Sequence, residues 1–198
     1  MEDRNLLKVN VLIHGFAIVH ATTAAALSQT MVGDEAALTV LTVSMIIAIS
    51  RLYNQRVEVG EAFAFLGIFA GWYIGTRTAV MFVKWMPVIG NSANAIATTV
   101  TTEILGWATY LIVREKRSIT TVNKTEMESL IRQAKEERTK QTEIWKRIKT
   151  VLAQMNEEDK SRYEFIMKKF TEKNLSEAEQ NILEQELQEL LKKYGLTD

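Results

Sequence analysis

Charge divides this chain into two parts, and the division limits the folds available to it. Between Lys8 and Asp34 the only ionisable side chains are those of two histidines, and long uncharged stretches recur as far as Val113. From Arg114 onward, basic and acidic residues are interleaved densely to the end of the 198-residue chain. This pattern predicts an apolar helical block followed by a charged helical block.

Composition excludes several functional classes. The formal net charge is zero, so no overall positive field argues for nucleic-acid binding. Cysteine is absent, which excludes disulfides, thiol catalysis and cysteine-ligated metal sites.

The first block contains four apolar helical segments. They cover approximately residues 6–31, 35–53, 61–83 and 92–113. The first is long enough to cross a hydrocarbon layer of about 30 Å at about 1.5 Å per residue. A basic cluster, Arg114 to Arg117, follows the fourth segment, which is typical of the cytoplasmic side. We therefore expect residues 1–117 to form two helical hairpins in the inner membrane, with both termini cytoplasmic. The short uncharged core of the second segment leaves re-entrant hairpins open.

The third segment carries three glycines, Gly67, Gly71 and Gly75, spaced four residues apart. In an apolar helix this spacing allows close packing of backbones. Packing within the chain is the favoured interpretation, and a contact between copies of the chain is the alternative. Pro87 and Gly90 then predict a hinge before the fourth segment.

Glu103 is the most informative ionisable residue, because it lies in the middle of the fourth segment. A carboxylate at membrane depth is expensive and faces a partner or water. Helical spacing from the Pro87 turn makes Arg77 the expected partner, in a pair that fixes helix register. The alternative is an ion path, with Glu103, Thr98 and Thr102 lining a pore.

The second block begins near Ser118. In residues 118–155 an apolar ladder predicts either a coiled coil or one amphipathic helix packed on its own domain, and Glu137 and Gln141 interrupt its centre. The expected seam contains Leu130, Ile144, Ile148 and Val151. Residues 156–198 predict a helical hairpin, in which Ser176 opens the last helix with a capping box and Gly195 ends it.

The two histidines do not form a metal pair. His14 and His20 are six residues apart, a rotation of about 240° on a helix, so they lie on different faces. A hydrogen-bonded structural histidine is the expected role for each. The sequence contains no catalytic motif and no metal-binding motif, so we expect no enzyme, no metal and no cofactor.

Three landmarks in the apolar block resemble a family. They are His20 with the small residues after it, the acidic break at Gly33-Asp34 before a methionine-containing helix, and the Pro87-x-x-Gly90 turn before a helix with Thr102 and Gly106. Together they resemble the bacterial YcjF-type membrane-associated family of unknown function, often found with small GTPase domains. The resemblance covers approximately residues 19–112. This chain lacks both the family's prolines before the acidic break and any GxxxxGK[ST] motif.

The sequence therefore predicts an all-α protein that acts as a membrane-anchored scaffold or adaptor. We expect it to form homo-oligomers on a lipid bilayer and to recruit a cytoplasmic protein through residues 118–198. A GTPase is the partner that the resemblance implies. The alternatives are a small homo-oligomeric channel lined by the fourth helix, and a peripheral or soluble helical bundle.

Overall fold

All regular structure in the described part of the chain is helical. The computed structural model describes residues 5–27, 34–75, 92–170 and 176–196. Eight α-helices and one short 3-10 helix occur in these ranges, and no strand does. The helices are α1 Leu6–Leu27, α2 Asp34–Leu52, α3 Val59–Gly75, α4 Ser92–Arg114, α5 Lys124–Lys140, α6 Thr142–Gln154, α7 Glu157–Phe170 and α8 Glu177–Lys193, and the 3-10 helix is Ile119–Thr121. The predicted all-α class is confirmed.

Local sequence accounts for the ends of the later helices. The side chain of Asn123 accepts a hydrogen bond from the backbone N–H of Glu126 and so caps α5. Ser176 and Glu179 form the predicted capping box at the start of α8. After α8, Gly195 adopts a φ of +68°, a conformation that glycine tolerates and side chains disfavour.

Helix α1 lies at the centre of the bundle and packs most extensively against α4. A Cβ atom at Gly106 would lie 2.7 Å from Cγ1 of Ile13, so α1 and α4 approach closely at this point. On another side of α1, a Cβ at Gly15 would lie 2.6 Å from the Tyr163 hydroxyl and from Cε of Met167 on α7. At these two isolated glycines the neighbouring helices lie too close to leave room for a larger residue.

The charged half packs directly on the apolar half. Helices α4 and α5 run antiparallel, since Arg117 bonds Glu126 near their connection and Glu103 bonds Arg138 farther along. Buried apolar residues from Val9 to Leu196 form one continuous core. The core therefore crosses the predicted domain boundaries at 117/118 and 155/156.

The segment expected to be one long helix, residues 118–155, is interrupted. Residues 118–123 hold the 3-10 helix, and Gln141 separates α5 from α6. The Gln141 side chain turns toward Asn10 on α1 and Glu137 on α5. These polar contacts fix the position of Gln141 between α5 and α6.

The predicted seam residues lie inside the chain's own bundle. Leu130, Ile148 and Val151 are buried in the common core, and Ile144 packs against it while partly buried. Of the two arrangements left open by the sequence, this one corresponds to amphipathic helices packed on their own domain.

Membrane-spanning helices are not found in the described residues, where no helix combines the length and the hydropathy needed to cross a bilayer. The residues assigned to the predicted hinge, Pro87 and Gly90, lie outside the described ranges, as does Arg77. Thr98 lies in α4, and its side chain is outside the described part.

Candidate functional site

Glu103 lies at the centre of the contact between the two halves. It projects from the middle of α4 and is 1% exposed. Its Oε1 lies 3.1 Å from Nδ1 of His14 on α1, and its Oε2 accepts a hydrogen bond from Nε of Arg138 on α5. These two residues are the partners that the structure gives to Glu103, and the predicted pairing with Arg77 stays a prediction.

Two further contacts extend this arrangement along α1. The His14 ring stacks on Trp145 of α6, with ring centroids 3.9 Å apart and planes 14° from parallel. One helical turn away, Nδ2 of Asn10 donates to Oε1 of Gln141 at 3.3 Å. Nε2 of Gln141 in turn donates to Oε1 of Glu137 at 2.9 Å. We call these residues the central polar cluster: Asn10, His14, Glu103, Glu137, Arg138, Gln141 and Trp145.

Opposing effects act on the Glu103 carboxyl group. Burial alone would raise its pKa, because removal from water penalises the charged form. Hydrogen bonds from His14 and Arg138, together with their charges, outweigh burial and leave the pKa below its ordinary value of 4.5. Glu103 is therefore an ionised carboxylate at neutral pH, enclosed by partners from both halves.

The central polar cluster is not fully satisfied. Asn10 Oδ1 and His14 Nε2 are buried, as is Oγ1 of Thr102, the residue before Glu103, and none of the three atoms has a hydrogen-bond partner among the described residues. A buried polar atom without a partner costs about 1–3 kcal/mol. The closed bundle therefore carries an energetic penalty at the point where its halves meet.

A histidine oriented by a carboxylate resembles part of a catalytic triad. Here the ring is 2% exposed and covered by Trp145, so a reactant cannot approach it in this conformation. Among the described residues no group of three or more His, Asp or Glu side chains has the arrangement of a metal site. The geometry favours a structural or conformational role for the cluster.

His20 has a different environment from His14. Its Nδ1 lies 2.8 Å from the carbonyl oxygen of Phe16, which can only accept, so Nδ1 carries the proton. Its Nε2 lies 3.0 Å from Oγ1 of Thr42 on α2. The prediction of hydrogen-bonded histidines on separate faces is confirmed: His14 faces α4 and α6, and His20 faces α2.

The glycine-rich helix α3 faces outward. No atom of the described chain outside this helix lies within 4 Å of a Cβ built on Gly67 or Gly71. Among the described residues, α3 turns Phe65 and Phe69 inward rather than these two glycines. Close packing at the glycines, within the chain or between copies of it, stays a prediction. We call the exposed surface the α3 outer face: Gly60, Phe63, Ala64, Gly67 and Gly71.

The C-terminal hairpin of α7 and α8 is joined at its base by Asp159. Nζ of Lys193 and the Tyr194 hydroxyl each donate to Oδ2 of Asp159 at 2.6 Å. These hydrogen bonds lower the pKa of Asp159. On the surface of the same hairpin, Phe165 and Ile182 are 53% and 56% exposed. The hairpin is thus fixed at one end and presents apolar side chains to solvent.

The sequence singled out Glu103 and Thr102 but missed most of their surroundings. Arg138, Trp145 and Asn10 were not candidates. One signal was available: Asn10 and His14 interrupt an apolar helix at a four-residue spacing, and Glu137 and Gln141 interrupt the later ladder at the same spacing. Polar residues that share the same spacing in two otherwise apolar helical faces indicate that the two helices pack against each other.

Comparisons with protein-family models, with curated proteins and with solved structures find no match. The resemblance to the YcjF-type family therefore stays a prediction.

Proposed function

We propose that this chain is a non-catalytic helical scaffold that binds a membrane surface through the α3 outer face and recruits a protein partner through its C-terminal hairpin. The observation that carries the proposal is the exposure of α3. Phe63 is 45% exposed, and Gly67 and Gly71 are open to the surroundings. Exposed apolar surface of this kind marks sites of interaction with membranes or proteins.

The composition of α3 supports lipid as the occupant of this face. No charged residue occurs between Glu61 and Arg77. An uncharged helical face with a projecting aromatic side chain can enter the boundary between headgroups and acyl chains. The charged residues nearest to α3 lie on another side of the helix, where Arg132, Lys135 and Glu136 of α5 line a pocket with Trp72.

Recruitment of a partner is assigned to the opposite part of the chain. Phe165 and Ile182 are the most exposed large apolar side chains of the described residues, and both belong to the C-terminal hairpin. A GTPase is the partner class implied by the family resemblance. The pore alternative has less support, because both oxygens of Glu103 already bond side chains of this chain.

The membrane part is tested by flotation of the purified chain with vesicles of phosphatidylcholine and phosphatidylglycerol. We expect Phe63→Asp to abolish flotation, because a carboxylate would have to enter the apolar boundary. Phe165→Asp is the matched control, since it changes a phenylalanine of similar exposure on the hairpin, 53% against 45% for Phe63. Equal flotation of both variants and the wild type would remove α3 from the proposal.

A second copy of the chain is the competing occupant of the α3 outer face. Sedimentation in the absence of lipid measures this directly. Gly67→Leu would disrupt close helix pairing at a GxxxG face but would add apolar surface for lipid contact. A dimer that Gly67→Leu dissociates, with flotation lost in parallel, would favour self-association over direct lipid binding.

The partner function is tested by affinity capture with the intact chain and with Phe165→Asp. A partner that binds the intact chain and is lost from this variant supports recruitment through the hairpin. Phe63→Asp serves here as the control that should retain the partner.

A further inference from the structure

The central polar cluster connects the two halves of the chain in an asymmetric way. His14 and Glu103 both belong to the apolar half, whereas Arg138 belongs to the charged half. Separation of α5 from α4 would break the Arg138–Glu103 pair and leave the His14–Glu103 pair intact. The carboxylate would then keep one hydrogen-bond partner, Nδ1 of His14.

The remaining contacts of the cluster also belong to this boundary. Trp145 covers His14, and Gln141 covers Asn10. Together α5, which packs on α4, and α6, which packs on α1, form a cover over this part of the bundle. Unpartnered atoms remain at Asn10 Oδ1 and His14 Nε2 beneath it, so the cover is held less tightly than a fully satisfied polar contact would be.

The surface under the cover is suited to lipid. No charged residue occurs in α1 from Val9 to Phe16, and the apolar side chains of this stretch are buried in the closed bundle. Helices α1 and α4 contain 22 and 23 residues. Lys8 and Arg114 lie at their ends. Apolar helices with basic residues at their ends are typical of segments that enter a bilayer.

We infer that α5 and α6 are a releasable cover held by the Arg138–Glu103 pair, and that their release exposes the apolar surface of α1 and α4 to a lipid bilayer. This inference deepens the proposed membrane function and depends on it. In the closed form the chain touches the membrane through α3, and in the open form it adds α1 and α4. The Arg138–Glu103 pair determines how often the cover opens.

The test compares Arg138→Gln with Arg117→Gln on vesicles of phosphatidylcholine and phosphatidylglycerol. Arg117 is the matched control, because it follows α4 and also pairs with a glutamate of α5. Its partner Glu126, however, is partly exposed. We expect Arg138→Gln to raise the fraction of chain bound at limiting lipid by about threefold or more, because apparent affinity rises with the population of the open form. Arg117→Gln should bind like the wild type.

Hydrogen exchange in the absence of lipid shows whether the cover has opened. We expect faster exchange of the α5 amides in Arg138→Gln and unchanged exchange in α7 and α8. Unchanged exchange in α5 would overturn the role of Arg138. Faster exchange in α5 without increased lipid binding would overturn lipid as the occupant of the uncovered surface.

Cross-linking tests the opposite change, in which the cover is held closed. The chain contains no cysteine, so a thiol cross-linker reacts only at cysteines that are introduced. Asn10 and Gln141 touch across the boundary, so cysteines at both positions can be joined with a short bis-maleimide. Joining them in the Arg138→Gln chain should return lipid binding to the wild-type value, compared with the same chain left unjoined. Persistent high binding after joining would overturn the inference.

Phe63→Asp separates this inference from the proposed function. If Phe63→Asp leaves wild-type flotation unchanged while Arg138→Gln still raises binding, contact through α3 fails and the cover stands. If wild-type flotation depends on Phe63 but Arg138→Gln opens α5 without a further rise, the proposed function stands and the cover fails.

Discussion

At Glu103, burial and hydrogen bonding act in opposite directions on one carboxylate. Burial disfavours its charge, and His14 and Arg138 restore it through hydrogen bonds and charge. Arg138 keeps 37% of its side chain exposed, so it can return to water if the pair breaks. Glu103 cannot reach water while the bundle is closed. Loss of the pair therefore costs Glu103 more free energy than it costs Arg138.

Replacement of Glu103 by glutamine tests this balance. We expect Glu103→Gln to lower the free energy of unfolding by about 1–3 kcal/mol at neutral pH, because the charged hydrogen bonds are lost while Arg138 remains solvated. The folded pKa of Glu103 is lowered, so its contribution is complete above pH 4.5 and is lost as the pH falls through the folded pKa.

Urea unfolding at several pH values measures both effects. The wild type should lose more stability than Glu103→Gln as the pH falls below 4.5. Glu136→Gln is the control, since Glu136 is exposed on α5. Identical losses in the wild type and Glu103→Gln would contradict the assignment.

At the scale of the helix, the regularly spaced glycines and the isolated glycines have different surroundings. A Cβ on Gly67 or Gly71 would meet no other described part of the chain within 4 Å, whereas a Cβ on Gly15 or Gly106 would lie within 2.7 Å of a side chain on another helix. Spacing alone identifies a face that allows close packing. It cannot identify which helix, if any, lies on that face, because the partner is fixed by contacts distant in sequence.

Alanine at these glycines should therefore have opposite effects. We expect Gly106→Ala to destabilise the chain by about 1–3 kcal/mol, because the new methyl group overlaps Ile13. We expect Gly67→Ala to stabilise it by about 0.5–1 kcal/mol, since the helix gains propensity without a clash. Thermal unfolding in the absence of lipid measures both changes, and equal signs would be inconsistent with the packing described.

Helices and caps were predictable because they depend on local pattern. The helical class, the Ser176 capping box and the Gly195 terminus all follow from residues within a few positions of each other. The site was predictable only in part. Glu103 stands out in an apolar segment, but its partner Arg138 lies 35 residues away among many exposed charges. Nothing local distinguishes that arginine from its neighbours.

At the scale of the whole molecule, the change in charge near residue 117 does not separate two cores. The predicted boundaries follow composition, whereas the buried cluster runs through both halves and into the C-terminal hairpin. Composition describes what each helix exposes. The core depends on the smaller set of residues that each helix buries. A charged amphipathic helix has an apolar face to bury, just as an apolar helix does.

A substitution in the last third of the chain should consequently weaken the whole bundle. Met167 on α7 is buried against the central helix at Gly15. We expect Met167→Ala to lower the free energy of unfolding by about 2–5 kcal/mol in one transition detected alike by circular dichroism and by tryptophan fluorescence. Glu164→Ala, at an exposed position on α7, is the control. Separate transitions would indicate independent domains.

The central position of α1 has a consequence for synthesis of the chain. Gly15 is made early, and its contact Met167 follows 167 − 15 = 152 residues later. At translation rates of about 5–20 residues per second, roughly 8–30 s pass before that contact can form. During this interval the apolar helix α1 has been synthesised but lacks α7, one of its final neighbours. The surface of α1 around Gly15 is therefore open to other contacts until α7 has been made.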